Sequence, residues 1–515
     1  MSIVNGILNE VWIGNGKQVP LEQIPILAYD IFADSVLTEY VNGSRVAVYF
    51  GVPPENPAEG VSLEIFAVMA RERHSDFAIY RTSIGERFQS LTPNCPQLHL
   101  FEREIAEQYG VVPEGHPWLK PVRFHASWRP GHDAWGRDTS IHPLAGAMDF
   151  YQVNGDGIHE VAVGPVHAGI IEPGHFRFQC YGEKVLHLEI SLGYQHRGLE
   201  TTLIGGPHPA TTMQMETIAG DTTIGHMTAY SKVIEGLAGS EAPVRAQAIR
   251  ALGLELERLA NHVGDIGALS GDIGFLPTAS FCGRLRGDYL NMTAALCGSR
   301  FGRGLVRPGG VGFDLDRELA TQLLARLEAV ETHTLGACRL FFDTPSVLAR
   351  LERVGRVTRS TAEDLGLVGV AAKASGVPRD SRFFFPTGIY RETFDEMITD
   401  ELGDVFARSR MRYREIEVSI KIIRRLLANL PEGPVRIAPG PLRPNAFCLS
   451  MVEGWRGEVV HVALTEEDGR FRRYKIVDPS FHNWSGLAIA MRGTQISNFP
   501  LCNKSFNLSY CGFDV

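Results

Sequence analysis

Apolar positions along the chain fall into strand-like and helix-like blocks. The segments 46–50, 63–70 and 77–84 are rich in β-branched and aromatic residues with turns between them, which predicts strands. Residues 101–110 have helical character. Residues 1–125 are therefore expected to form a small α/β domain. Residues 126–150, rich in Gly, Pro, Trp, His and Asp, read as a linker lying on a surface. Residues 151–515 are expected to form a second, larger domain.

That larger region opens with a predicted hairpin. Pro173 and Gly174 suit the centre of a type II turn, with 169–171 and 176–178 as paired flanks. After a turn at Gly182, the residues Leu186, Leu188, Ile190 and Leu192 alternate strictly, the mark of a half-buried strand. This puts His167, Glu172, His175, His196 and Arg197 at the ends of one small sheet, where loops on a rigid scaffold carry function. Helical stripes follow. Ile249, Leu252, Leu256, Leu259, Val263 and Ile266 are spaced 3, 4, 3, 4 and 3 apart. Leu319, Leu323, Leu327 and Val330 form a second stripe, and Ile416, Ile420, Ile423 and Leu427 a third, stopped by Pro431 and Pro434. After 434 strand and turn character returns at 458–464 and 469–477, before a Gly/Asn-rich end. The fold class is α+β: a small N-terminal α/β domain, then a large helical-bundle domain with flanking β-sheet.

Composition narrows the function. The 515 residues carry 44% hydrophobic and 21% charged residues, as an ordinary globular protein does. A net charge of −9 with no basic run argues against nucleic acid. No apolar stretch is long enough to cross a bilayer, and residues 1–5 lack a basic signal-peptide start. The expected location is cytoplasmic. The eight cysteines are scattered without one CxxC pair, as reduced structural thiols are. No Gly-rich βαβ fingerprint supports a nicotinamide site.

Several motifs carry a family resemblance. Phe101-Glu-Arg-Glu and Gly115-His-Pro-Trp-Leu resemble the 30-kDa subunit of respiratory complex I. From Gly164-Pro-Val-His through His196-Arg-Gly-Leu-Glu, Glu255-Leu-Glu-Arg-Leu-Ala-Asn-His, Asp272-Ile-Gly, Arg307-Pro-Gly-Gly, Asp380-Ser-Arg and Glu453-Gly-Trp-Arg-Gly-Glu, the chain resembles the 49-kDa quinone-site subunit. It resembles more closely the large subunit of group 4 membrane-bound nickel–iron hydrogenases. Fusion of both regions in one chain is the formate-hydrogenlyase arrangement.

The resemblance implies a nickel–iron centre held by two CxxC pairs, since nickel needs four soft thiolates. Ala219 and Thr222 stand at the first pair and Ser509 and Gly512 at the second, with Cys511 between them. The metal centre is therefore expected to be absent. The resemblance makes Glu172 the proton-transferring carboxylate; from the residues alone it simply starts the Pro-Gly turn. It makes Asp272 the partner of a quinone-site histidine, with His175 as the local counterpart and His167 as a further site histidine. It turns His196 and Arg197 towards the iron–sulfur cluster of an adjacent subunit, while the plain reading pairs Arg197 with Glu200 or Glu257. Asp221 and Thr222 line the former metal cavity. No tyrosine lies between Tyr194 and Tyr230, where complex I places one on the quinone.

The expected function is an electron-transfer and energy-coupling oxidoreductase subunit. It binds no cofactor directly, takes electrons from the neighbouring cluster, and has a quinone as the implied acceptor. The implied partners are an iron–sulfur small subunit, a ferredoxin-like subunit and membrane antiporter-like subunits, with attachment to the inner face of the cell membrane through them. The alternatives are an active nickel–iron hydrogenase with atypical ligands and a non-catalytic scaffold.

Overall fold

The computed structural model describes residues 10–55, 59–168, 171–394 and 396–515. Residues 1–5 and the hairpin flank 169–170 lie outside them.

The N-terminal region contains β1 (Val11–Ile13), β2 (Gln18–Pro20), β3 (Ile26–Leu27), α1 (Tyr29–Val41), β4 (Arg45–Val52), β5 (Leu63–Arg71), β6 (Asp76–Ile84) and α2 (His99–Tyr109). The sheet order is β1-β6-β5-β4, antiparallel, with β3 parallel to β6. All eight residues of β4 are buried, as are eight of the nine in β5. Strands covered on both faces read as continuous apolar runs, not alternating ones. One cover is the C-terminal sheet, against which Phe66 stacks on Phe447. Moreover, β2 leaves the first sheet to join the C-terminal one. The two regions therefore share a core.

Between them, 115–157 contains no helix or strand. It is held as a strap: Glu107 accepts the backbone N–H groups of Val122, Arg123 and Phe124 at 3.1, 2.8 and 2.6 Å. Trp128 sets its edge against Tyr109.

Next come β7 (Ile158–Val163), β8 (His175–Tyr181) and β9 (Lys184–Ser191), ordered β9-β8-β7. This corrects the predicted hairpin. The partner of β8 is 158–163, with Phe176 opposite Val163, and neither 164–168 nor 171–174 is in a strand. Among the described residues there, Gly164 (φ 83°) and Ala168 (φ 51°) are left-handed and Gly174 is not. Gly174 is small for another reason: a Cβ there would lie 2.7 Å from the Tyr510 ring. The alternation in β9 is also broken, because the register shifts between Gln179 and Cys180 and leaves Leu186 without a partner.

The bundle comprises α3 (Thr223–Leu237), α4 (Val244–Asp272), α5 (Leu276–Cys297), α6 (Arg317–Asp343) and α7 (Val405–Ala428). All six stripe residues of α4, from Ile249 to Ile266, have 0% exposure. Burying each such side chain contributes about 1.5–3 kcal/mol, so this helix is the bundle's axis. The C-terminal sheet, β10 (Ala446–Glu453), β11 (Glu458–Thr465) and β12 (Phe471–Val477), packs against α3. The Gly/Asn-rich end is helical, not irregular: α8 (Pro479–Met491), α9 (Phe499–Phe506) and a last turn, α10 (Tyr510–Phe513). Asp478 caps α8 by accepting from Ser480 N. Asn507 ends α9 in the left-handed region at φ 46°.

The regions are joined by buried charge. Arg45 of β4, 2% exposed, forms a bidentate ion pair with Glu458 of β11, 3% exposed, and a 2.5 Å pair with Glu72. Removing one member of such a pair strands the other away from water. Arg45→Met is expected to cost about 3–5 kcal/mol in denaturant unfolding, and Arg45→Met/Glu458→Leu to recover part of it. A loss under about 1 kcal/mol for the single variant would show that this pair does not join the regions.

Candidate functional site

Five stretches converge where the small sheet meets the bundle: residues 171–174, the loop 192–197, the segment 217–222 leading into α3, the turn 454–457, and residues 507–514. The last residues pin the others. Asp514 is fully buried, and its carboxylate accepts from Gly193 N at 2.8 Å and Gln195 N at 2.9 Å. Its backbone carbonyl lies 3.2 Å from His196 Nδ1. Glu172 Oε2 accepts from Gln195 Nε2 at 2.6 Å and from Cys511 N at 3.3 Å. Burial, with Glu172 nearby, pushes the Cys511 thiol up to about 11, so it stays protonated.

On the bundle side, Arg456 forms a bidentate ion pair with Asp221, at 2.6 and 2.8 Å, and reaches Thr222 Oγ1 at 3.3 Å. Its Nε donates to Asn507 O at 2.5 Å, and its guanidinium stacks 3.9 Å above the Trp455 ring. Trp455 Nε1 donates to Asp221 O. Burial would raise the Asp221 pKa, but the charge and hydrogen bonds of Arg456 outweigh it and hold it low.

Asp478 forms the floor. A Cβ on Gly512 would lie 2.6 Å from both Asp478 Cγ and Oδ2, so the carboxylate fills the space a side chain at 512 would take. Asp478 Oδ2 lies 3.1 Å from His226 Nε2, His226 Nδ1 lies 3.0 Å from His461 Nε2, and His461 Nδ1 lies 2.8 Å from the Tyr474 hydroxyl. With Asp478 ionised and both imidazoles neutral, one proton order satisfies every link: Tyr474 donates to His461, His461 to His226, and His226 to Asp478. Burial, the largest cause, holds the His461 pKa well below the ordinary histidine value.

Beside this centre lies a cavity of about 370 Å³, lined by His167, Ile171, Asp272, Phe499, Lys504 and Tyr510 among others. His167 Nε2 is 2.8 Å from Gly174 O, so Nε2 carries the proton and Nδ1 is left as an acceptor. Desolvation raises the Asp272 pKa at the cavity rim, and Lys504 opposes it. Lys504 makes no ion pair among the described residues.

Residues 41–144 match the family described as the respiratory-chain NADH dehydrogenase 30 Kd subunit, and residues 272–443 match its 49 Kd subunit. Formate hydrogenlyase subunit 5 of Escherichia coli is 30% identical over 436 residues, covering 82% of this chain and 76% of the relative. The chain belongs to this hydrogenase and complex I subunit family. NADH-quinone oxidoreductase subunit 4 of Thermus thermophilus is 31% identical over 362 residues, covering 65% of this chain and 88% of the relative. The membrane-bound hydrogenase subunit alpha of Pyrococcus furiosus is 27% identical, with 68% and 85% covered. The chain is thus a fused 30-kDa-like and 49-kDa-like oxidoreductase subunit from a family of multi-subunit assemblies. Among the described residues no helix is long and apolar enough to cross a membrane.

Within this family frame, the structure brings Glu172, Asp221, Thr222 and Cys511 into one centre and sets His167 and Asp272 in the adjoining cavity. His175 is elsewhere. Its Nδ1 lies 3.2 Å from Gly164 O, its Nε2 accepts from Arg177, and Phe150 covers it, so both nitrogens are used within the sheet. His167, not His175, therefore shares the cavity with Asp272. Arg197 pairs with neither Glu200 nor Glu257; it is exposed and donates to Thr217 O and Ile218 O, bracing the segment before Ala219. Glu200 is taken by Arg473 and Lys475, and Glu257 accepts the N–H groups that open α3. Sequence reasoning gave no role to Arg456, His226, Asp478, Lys504 or Tyr510. Arg456 and His226 lay inside the matched motifs; the other three carried no local signal.

Burial raises the Asp514 pKa to about 6, above the ordinary aspartate value of 3.8. A raised carboxylate favours the folded state at low pH, and that advantage is lost as pH rises through the folded pKa. Stability should therefore fall by about 2–3 kcal/mol between about pH 4 and pH 6 from this group. Asp514→Asn is expected to flatten that part of the pH–stability curve measured by denaturant unfolding. An unchanged curve would exclude Asp514 as its source.

Proposed function

We propose that this subunit accepts electrons from an iron–sulfur cluster of a neighbouring subunit and passes them to a small carbonyl acceptor of quinone type, without a nickel–iron centre. The observation that carries the reading is the replacement of soft ligands by a closed polar lattice. A nickel–iron centre needs four thiolates. Ala219 and Gly512 offer no ligand atom. Thr222 Oγ1 faces Arg456, and Ser509 Oγ accepts from Gly512 N. The Asp478 carboxylate occupies the volume beside position 512. Seven of the eight cysteines are buried elsewhere, and Cys511 alone cannot rebuild the set. The donor set does not fit the metals.

The cavity supports the choice of acceptor. Its apolar walls, Phe499, Ile171 and Leu508, suit a ring, and two of its groups suit carbonyl oxygens. The Lys504 ammonium and the Tyr510 hydroxyl can each donate to an oxygen that gains negative charge on reduction. Tyr510 is held protonated by burial, which raises it to about 12. Reducing such a ring to its diol takes two electrons and two protons. The electrons come from the partner's cluster, on the face carrying exposed Arg197. Glu172, held by Cys511 N next to Tyr510 in sequence, and Asp272, which lines the cavity with Tyr510, are the carboxylates that pass protons inward, a role suited to groups between solvent and a partly dry site. A soluble chain of this kind reaches the membrane through its partners: the iron–sulfur small subunit, a ferredoxin-like subunit and antiporter-like membrane subunits.

The complex purified from its native membrane is expected to contain no stoichiometric nickel by elemental analysis. Nickel at one per chain would restore the hydrogenase reading. In the same complex, Lys504→Met and Asp272→Asn are each expected to lower kcat/KM for a soluble quinone about ten-fold or more while assembly is kept. Full activity in both would leave the chain a scaffold.

A further inference from the structure

The turn 454–457 carries Arg456 into the site, and the residue just before it, Glu453, belongs to a second assembly of ionisable groups. Seven charged side chains, each 3% exposed or less, interlock there: Glu255, Arg258, Lys373, Asp380, Arg382, Glu415 and Glu453. Lys373 Nζ lies 2.9 Å from Asp380, 2.5 Å from Glu415 and 3.6 Å from Glu453. Arg382 bridges Asp380 at 2.7 Å and Glu255 at 3.3 Å. Arg258 bridges Glu255 at 3.1 Å and Glu415 at 3.7 Å. These groups come from α4, α7, β10 and the segment 373–382. The neighbouring Arg412 on α7 is paired with Asp265 and adds no net charge.

The count does not balance. Four carboxylates face three cations, which leaves one negative charge in a dry interior. An uncompensated buried charge is strongly disfavoured, and the usual remedy is to bind a proton. His262 on α4 is one candidate to hold it, through Nε2, 2.7 Å from Glu415. Its Nδ1 has no hydrogen-bond partner, however, so an imidazolium would bury an unsatisfied N–H. Glu255, Asp380 and Glu415 each have a cation within 3.1 Å. Glu453 has none closer than 3.6 Å; its Oε2 accepts from Ser381 N and Oγ at 2.9 and 3.0 Å. Burial, with Asp380 beside it, pushes its pKa up to about 7.

We propose that the Glu453 cluster is a proton-binding site of this subunit, holding one exchangeable proton and taking it up when negative charge arrives at the neighbouring site. The link is covalent and short. Arg258 donates to the carbonyls of both Glu453 and Gly454, while Trp455 and Arg456, two and three residues further on, grip Asp221. An electron delivered to the acceptor cavity makes the field at Glu453 more negative. The carboxylate then takes a proton from solvent, so one electron entering is balanced by one proton. The uptake half of this proposal rests on the electron-accepting reading above. The resting half does not.

The test uses the purified complex. Infrared spectra recorded between about pH 5 and pH 9 should show a carboxylic-acid carbonyl band lost as pH rises through about 7, between those of buried Asp514 near 6 and buried Glu257 near 8. That band should be absent in Glu453→Gln. No such band in the wild type, or its survival in the variant, would overturn the site. If the variant does not assemble, Ser381→Ala, which removes the hydroxyl donating to Glu453, serves instead: the band titrating near 7 must change frequency, and an unchanged band overturns the proposal. Reduction with dithionite in weak buffer containing a pH dye should then take up one proton more per complex in the wild type than in Glu453→Gln. Equal uptake would overturn the coupling. The resting titration needs no acceptor, so a failed acceptor assay leaves it standing and the two readings fail separately.

Discussion

A charge removed from water must meet a counter-charge or a set of hydrogen bonds, and this constraint holds the chain together. Segments far apart in sequence are joined by it. Arg45 meets Glu458 across 413 residues. Arg123 of the strap binds Glu104 of α2 and the carbonyl of Phe513. Lys475 of β12 reaches both Glu104 and Glu200. Apolar packing supplies most of the stability, but it does not fix which segment lies beside which. Pairs that tolerate no mismatch do that here, and they are concentrated around the site.

The site itself follows from the same rule. Ala219, Thr222, Ser509 and Gly512 are small or hydroxylated, and the polar space between them has to be filled. It is filled by ion pairs and oriented hydrogen bonds. Arg456 closes on Asp221, Asp478 moves into the space that Gly512 leaves, and the His226, His461 and Tyr474 chain donates in one direction onto Asp478. A thiolate set and this lattice are mutually exclusive, because a side chain at 512 would collide with Asp478. Restoring one cysteine would therefore strand a carboxylate rather than rebuild a metal site.

Much of the fold was legible from periodicity. The α4 stripe, the strands of the first sheet and the stop after α7 all stood in short windows, where apolar spacing reports one buried face. The misreadings had physical causes. Pro173 and Gly174 look like a turn because turn chemistry is local, whereas Gly174 is small to admit the Tyr510 ring from the other end of the chain. The Gly/Asn-rich end hid α8 and α9, since Asp478, Pro479 and Asn507 work as caps that composition alone does not distinguish from loop. The ordered motifs pointed to Glu172, Asp221 and Thr222, which the fold brings together. They paired His175 with Asp272, but its ring is used by Gly164 and Arg177 within the sheet, and it is His167 that lines the cavity with Asp272. Asp478, Lys504 and Tyr510 had no signal, because each matters through a contact made across the fold.

Coupling between an electron-transfer site and proton movement requires a short mechanical or electrostatic path, and the 453–456 turn is such a path. Gly454 and Gly457 make it tight: their backbones bond each other at 2.7 and 3.2 Å, and Cβ atoms there would meet backbone or valine side chains. A turn this constrained cannot absorb strain by bending. A change in the pairing of Arg456 must be passed back to Glu453 and Arg258, whose partners lie on α4 and α7, the two helices most extensively packed in the bundle. The chain thus keeps in its charged interior a connection made of ion pairs and hydrogen bonds alone, running from the acceptor side of the turn to the axis of the bundle.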